Sequence, residues 1–250
     1  MLDEATYDYV REVTDRLRAL LQEDLVGVYL IGSGSMGGFD PRHSDVDIAA
    51  VVTGPLLREQ KDRIVRALAH PGLPCPVRKL ELVVYRAEAV SGPSPSLQWE
   101  LNLNTGPAAG VRARFDPSTE PGHWFVLDVA MAGRLARSLF GPPPHVVFGE
   151  LSRDRVLRAL LGSIRWHVQN DHQGVQAVLN ACRAWRWVQD ATWSPKPEAA
   201  RWARVRTDDP AVIDAALSAR ENGGHPPLDR PAVDRFVSGV ERRIERSMDR

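Results

Sequence analysis

The stretch that most constrains this chain is residues 25–52. LVGVYLI (25–31) is a short, β-rich apolar run, which reads as a buried strand. It runs directly into Gly32-Ser33-Gly34-Ser35-Met36-Gly37-Gly38, a composition expected to form a loop because regular helices and strands do not tolerate it. VDIAAVV (Val46–Val52) follows as a second buried strand. Residues 56–69 read as a helix that stops at Pro71-Gly72, and KLELVVY (79–85) as a third strand. An amphipathic helix over 2–22 precedes them, with Val10, Val13, Leu17, Leu20 and Leu21 at helical spacing. The order helix, strand, glycine loop, strand, helix, strand describes a layered sheet-and-helix domain.

The rest of the chain has a different texture. Residues 91–122 are rich in Pro, Gly, Ser and Asn and read as loops, with a strand around 99–103. Residues 123–140 read as one helix, ended by Gly141-Pro142-Pro143-Pro144. Beyond that point only helical patterns recur, over 152–168, 175–190, 197–205, 210–222 and 230–247. Five of the seven tryptophans lie in this half. The expected architecture is α+β: a sheet-and-helix domain over residues 1–149, then an all-helical bundle over 150–250.

Composition narrows the function classes. Lys+Arg and Asp+Glu both number 32, so the formal net charge is zero. That argues against a nucleic-acid coat or a polybasic membrane binder, both of which need a positive surplus. Only Lys61, Lys79 and Lys196 are lysines; every other basic residue is arginine. Cys75 and Cys182 stand far apart, outside any CxxC, so neither a disulfide framework nor a thiolate metal site is expected. The first ten residues contain no apolar signal core, and no uncharged run approaches the ~18 residues of a membrane span. A cytoplasmic monomer with no membrane partner and no nucleic acid is expected.

The chemistry concentrates in Asp45, Asp47 and Glu81. Asp45 and Asp47 are two residues apart at the start of a strand, and the strand period of two points both carboxylates to one face. Two adjacent carboxylates repel one another. A divalent cation resolves the conflict, and hard oxygen ligands completed by substrate phosphates suit Mg²⁺. Glu81 stands among Leu80, Leu82, Val83 and Val84, where an acid is costly without compensation. If its strand neighbours Val46–Val52, it shares the face of the aspartates as a third metal ligand or as a general base. A salt bridge to Lys79 is the plainer alternative. The glycine-rich loop can bring backbone N–H groups and the Ser33 hydroxyl to a phosphate, yet it is neither GxGxxG nor GxxxxGK[ST].

GSGSMGGFDPRHSDVDIAAVV resembles the GS…DxD signature of the nucleotidyltransferase superfamily that includes DNA polymerase β. Glu81 falls where the aminoglycoside adenylyltransferases carry a strand glutamate. VLNACRAWRWVQDATWSPKPEAARWA (178–203) is similar to the helical-domain motif of the streptomycin/spectinomycin branch of that family. The resemblance implies AMP transfer from ATP to a hydroxyl of a small, aminoglycoside-like molecule, with release of pyrophosphate. It implies two Mg²⁺ ions on Asp45 and Asp47, with Glu81 taking the hydroxyl proton. Gly32, Ser33, Ser44 and Lys196 would meet the triphosphate, and the nucleotide would lie between the domains. On the acceptor side the family presents acidic side chains before the helix at Val175–Asp190. This chain has Gln169 and Gln173 near those positions, and Asp171 is the nearby carboxylate. Asp171, Gln173, Trp99 and Glu100 are the expected acceptor contacts. An AMP transferase directed at protein or RNA, related to antitoxins of this fold, and a non-catalytic nucleotide-binding module are the alternatives.

Overall fold

The computed structural model describes residues 2–92, 98–222 and 227–249. The chain divides into two units, Met1–Leu151 and Ser152–Arg250.

The first unit is built on a six-stranded sheet. Helix α1 (Glu4–Leu21) opens it, capped by Asp3, whose carboxylate accepts from the Thr6 N–H at 2.8 Å. Strand β1 (Leu25–Leu30), the short helix α2 (Gly32–Ser35), β2 (Val46–Val52), α3 (Arg58–Leu68) and β3 (Leu80–Arg86) follow. Next come α4 (Ala87–Val90), β4 (Trp99–Gly106), β5 (Gly110–Arg114), α5 (Gly122–Leu135), β6 (Arg137–Phe140) and α6 (Pro144–Val147). The strand order is β5-β4-β3-β2-β1-β6. Only β2 and β3 run parallel, joined through α3; the other neighbouring pairs are antiparallel. Parallel neighbours need a crossover of that kind, whereas antiparallel ones can be joined by a tight turn.

Alternation sorts the strand residues onto two faces. Val46, Ile48, Ala50 and Val52 of β2 join Leu80, Leu82 and Val84 of β3 in one apolar core with Val10, Val13 and Leu17 of α1 and Ile64 and Leu68 of α3. Burying each such side chain contributes about 1.5–3 kcal/mol, so this face anchors the sheet. The opposite face carries Asp47 and Glu81, and farther along it aromatic packing takes over. Phe125 of α5 lies 6.5 Å from the Tyr85 ring and 5.3 Å from the Trp99 ring, and Phe148 lies 5.0 Å from Tyr29.

Three sequence expectations change in this unit. Gly32–Ser35 is a single helical turn rather than a loop; Gly32 enters it with φ +61, which a glycine adopts without a Cβ clash. Residues 123–140 are not one helix. Helix α5 stops at Leu135, and Arg137–Phe140 pairs antiparallel with β1 at the sheet edge. Loops were expected over residues 91–122, with a strand only around 99–103; residues 99–114 instead form the hairpin β4–β5, closed by Gly106 at φ +156 and Gly110 at φ +62. Residues 93–97 of that stretch lie outside the described residues.

The second unit is helical: α7 (Arg153–Asn170), α8 (Val175–Asp190), α9 (Lys196–Arg204), α10 (Ala211–Asn222) and α11 (Arg230–Met248). Helix α8 forms its spine, burying Val178, Leu179, Ala181, Cys182, Ala184 and Trp185. Trp185 meets Trp202 edge to face at 5.4 Å, and the Arg243 guanidinium lies 4.5 Å over the Trp185 ring. Trp187 is buried as well, beside Trp193 at 5.4 Å. Among the described residues, no helix is long and apolar enough to cross a membrane.

Candidate active site

The parallel register of β2 and β3 sets Asp47 directly opposite Glu81. The antiparallel pairing of β3 with β4 sets Asn104 next in the row. These residues share the face turned away from the apolar core. Asp45 lies two residues before Asp47 and joins the same face.

Each aspartate carries a mark of an unmet need. Asp45 Oδ1 is buried with no hydrogen-bond partner, although the Arg78 guanidinium lies 3.8 Å away. Burial pushes the Asp45 carboxyl above its ordinary range, against the opposing pull of Lys79. Asp47 is pushed up further, first by burial and then by repulsion from Glu81, Asp128 and Asp45. The Ile31 N–H donates to the Asp47 carbonyl at 2.9 Å, which ties the start of α2 to β2. Asp47 Oδ2 then sits so close to Gly32 that a Cβ there would lie 2.0 Å from it. Glycine at 32 is therefore what leaves the carboxylate its place.

Lys79 stands among these acids. Its backbone carbonyl accepts from the Val46 N–H at 3.0 Å, fixing it beside the two aspartates. Its ammonium pairs closely with Glu81 Oε1, lies 3.6 Å from Asp45 Oδ2 and donates to Asn104 Oδ1 at 3.3 Å. Burial would lower its pKa, but Glu81, Asp45 and Asp47 outweigh that and raise it. Among the described residues, no three Asp, Glu, His or Cys side chains converge closely enough to hold a metal ion. The expected trio of Asp45, Asp47 and Glu81 thus shares one face, but Glu81 is turned to Lys79. The donor set still suits a hard cation: all-carboxylate oxygen, one oxygen orphaned, and a glycine cradle behind Asp47.

The other sequence candidates separate. Ser33 is partly exposed in the helical turn beside Asp47. Ser44 is buried, and its hydroxyl accepts from the Asp40 N–H at 3.0 Å, which clasps the 40–44 loop. Trp99 and Glu100, expected as acceptor contacts in a loop-rich segment, lie in the strand expected around 99–103, here β4, each 2% exposed. Glu100 pairs with Lys61 at 2.6 Å and with Arg86, and accepts from the Leu56 N–H at 3.1 Å. Burial would raise its pKa, but these partners outweigh it and hold the carboxyl below its ordinary value. Both of its oxygens are engaged by residues of the fold.

In the helical unit, Lys196 is the first residue of α9, and its ammonium donates to Gln176 Oε1 at 2.7 Å. Asp171 closes α7 and accepts from the N–H groups of Gln173 at 3.2 Å and Ala177 at 3.0 Å, capping the start of α8. Gln169 and Gln173 are exposed. His167 has a polar core role: Nδ1 bonds the Ser163 carbonyl at 2.8 Å, and Asn180 Nδ2 reaches Nε2 at 2.9 Å.

Two groups escaped the sequence reading. Asp128 of α5 adds to the repulsion on Asp47 and to the raised pKa of the buried Tyr85 hydroxyl. A lone acid inside the apolar run WFVLDVAMA is the same signal that singled out Glu81. Asn102 and Asn104 alternate with Leu101 and Leu103, a period-two pattern that gives the strand expected around 99–103 one polar face.

A family described as aminoglycoside adenylyltransferase, C-terminal domain, matches residues 146–243. A spectinomycin 9-adenylyltransferase from Staphylococcus aureus is 29% identical over 201 residues, spanning 75% of this chain and 74% of that protein. One from Enterococcus faecalis is 35% identical over 63 residues, 25% of this chain and 24% of that protein. Among solved structures, a spectinomycin adenyltransferase from Enterococcus faecalis, crystallised with ATP and spectinomycin, superposes with a TM-score of 0.76. It is 18% identical in sequence, and the match covers 96% of this chain and 99% of that one.

Proposed function

We propose that this chain is a member of the aminoglycoside adenylyltransferase family and transfers AMP from ATP to a hydroxyl of an aminoglycoside-class antibiotic, releasing pyrophosphate. The observation that carries the reading is the pairing of Asp47 with Glu81 across parallel strands, with the orphaned Asp45 oxygen beside them.

The roles follow from what each side chain can do. Asp45 and Asp47 would hold magnesium as two ions. When bound, Mg²⁺ supplies positive charge at the phosphates and lowers the pKa of the attacking hydroxyl. Glu81, with its side chain 40% exposed, accepts the acceptor's hydroxyl proton. The freed oxygen bonds to the α-phosphorus as the bond from that phosphorus to the bridging oxygen breaks, and the electron pair leaves with pyrophosphate. Ser33 and the backbone at Gly32 are assigned to the triphosphate, as is the point charge of Lys196. Gln173 and its neighbour Asp171 are assigned to the acceptor. A reaction fed by ATP is expected in the cytoplasm, and a monomer suffices for it.

The test incubates the protein with Mg²⁺, ATP labelled in the adenosine, and a panel that starts with spectinomycin and streptomycin. Labelled drug and equimolar pyrophosphate are expected for at least one member. No labelled product with any acceptor, or full activity after Asp47→Asn, would overturn the reading.

A further inference from the structure

The proposed site contains a cation of its own. Lys79 is one of only three lysines in the chain, and it is the residue two before Glu81 on the same face of its strand. Its position is built in rather than incidental. The Val46 N–H, which lies between the two aspartates in sequence, holds the Lys79 carbonyl at 3.0 Å. Gly106 closes in from β4, so near that a Cβ there would fall 2.5 Å from Lys79 Cα. From that anchor the side chain, 22% exposed, spans Glu81, Asp45 at 3.6 Å and Asn104 at 3.3 Å. Two carboxylates and an amide oxygen around one ammonium are hard oxygen donors of the kind a divalent ion also takes.

We propose that Lys79 is a resident counter-cation that competes with magnesium for these carboxylates, so that the free protein binds the ion weakly and Mg²⁺ with nucleotide binds well. This rests on the metal-dependent reading above. The ammonium stays charged throughout, and only its partners change. With no divalent ion present it neutralises Glu81 and, together with Arg78 at 3.8 Å, Asp45, which would otherwise repel one another and Asp47. A divalent ion arriving alone must both repel the ammonium and strip it of its partners. An ion arriving with a triphosphate brings oxygens to which the displaced ammonium can turn, so the penalty falls. The device would restrict metal loading to the nucleotide-bound state and free Glu81 to act as a base only then.

The test measures Mn²⁺ binding by electron paramagnetic resonance, with and without a non-hydrolysable ATP analogue. The proteins are the wild type, Lys79→Gln, Lys79→Met and the charge-preserving Lys79→Arg, each checked for folding by circular dichroism. Without nucleotide, the Gln and Met variants should bind Mn²⁺ at least about tenfold tighter than wild type, since a unit charge a few ångströms from the ion is worth that much even when well screened. The Arg variant should stay weak, and the analogue should narrow the gap between wild type and the neutral variants. Equal Mn²⁺ affinity in wild type and both neutral variants without nucleotide, when all bind the ion with the analogue, would overturn the proposal and leave the metal-dependent reading standing. Absence of Mn²⁺ binding in every protein, with and without analogue, would overturn that reading and the proposal together.

Discussion

Asp47 and Glu81 face one another in register across the parallel strands β2 and β3. The pairing places two acids where a fold selected for stability alone would place apolar or opposite charges, because like charges directly opposite destabilise a sheet. The rows beyond show what that alternative looks like: Ala49 faces Val83, and Val51 faces Tyr85.

Removing the charge from Asp47 should therefore relieve the fold while ending the chemistry. Its folded pKa is raised by burial and by its acidic neighbours, so the folded protein holds that proton more tightly than the unfolded chain does. The associated stability is complete below the ordinary carboxylate value of about 4 and is lost as pH rises through the raised value. Without metal at pH 7, Asp47→Asn should melt at or above the wild-type temperature, and the advantage should shrink as pH falls toward about 4. AMP transfer should fall at least roughly 100-fold, as when a group stabilising transition-state charge is removed. Thermal scans across pH, paired with a transfer assay, check both halves. A destabilised but active variant would contradict them.

Gly32 and Gly37 offer a matched pair. Both have positive φ, +61 and +78, so an alanine at either strains the backbone by about 1–2 kcal/mol. Only at Gly32 does the new Cβ strike the site, 2.0 Å from Asp47 Oδ2; at Gly37 nothing lies within 4 Å. Both variants should lose stability in urea titrations, Gly32→Ala more than Gly37→Ala because Asp47 must also shift. Gly32→Ala should also lose most of its kcat/KM for ATP, whereas Gly37→Ala should keep it. Equal activities would show that the close approach of Gly32 to Asp47 has no bearing on the reaction.

Much of this was legible in residue order because the signals were local. The strand runs at 25–31 and Val46–Val52, the two-residue spacing of Asp45 and Asp47, and the acid inside KLELVVY all lie within single elements. What stayed hidden depended on pairing. Sequence spacing leaves open whether β3 lies beside β2, and only that neighbour relation makes Glu81 a partner of Asp47. Glu100 looked like a free acid because Lys61 and Arg86, which neutralise it, lie 39 and 14 residues away. Lys79 could be seen as a partner for Glu81 alone. Its reach to Asp45 follows from the Val46–Lys79 hydrogen bond between strands. The strand at Arg137–Phe140 was masked by a helical pattern that continues through it, and edge pairing with β1 overrode that local preference.

Asp171 combines a capping role with its proposed place at the acceptor, and two substitutions separate them. Its carboxylate accepts from the Gln173 and Ala177 N–H groups, so Asp171→Ala should lower stability by about 1 kcal/mol, as loss of a helix cap does. Asp171→Asn keeps an acceptor oxygen and should recover most of that loss. If the negative charge also attracts a cationic drug, both variants should raise KM for the acceptor while leaving KM for ATP unchanged. An acceptor KM restored in Asp171→Asn would assign the residue to capping alone.

Glu100 should prove essential to the fold and neutral to the chemistry. It is 2% exposed and paired with Lys61 and Arg86, so Glu100→Gln leaves two cations without their shared partner. Breaking a buried ion pair in this way costs about 3 kcal/mol or more. The pH dependence has a defined sign. Burial alone would raise the carboxyl, but its three partners win and its folded pKa lies below the ordinary value. The stability it contributes is therefore present above about pH 4 and is lost as pH falls through the depressed value. The wild type should exceed Glu100→Gln most clearly at pH 7, with the curves converging in acid. At a temperature where both are folded, kcat and both KM values should match. A variant of unchanged stability but raised acceptor KM would return Glu100 to the substrate side of the site.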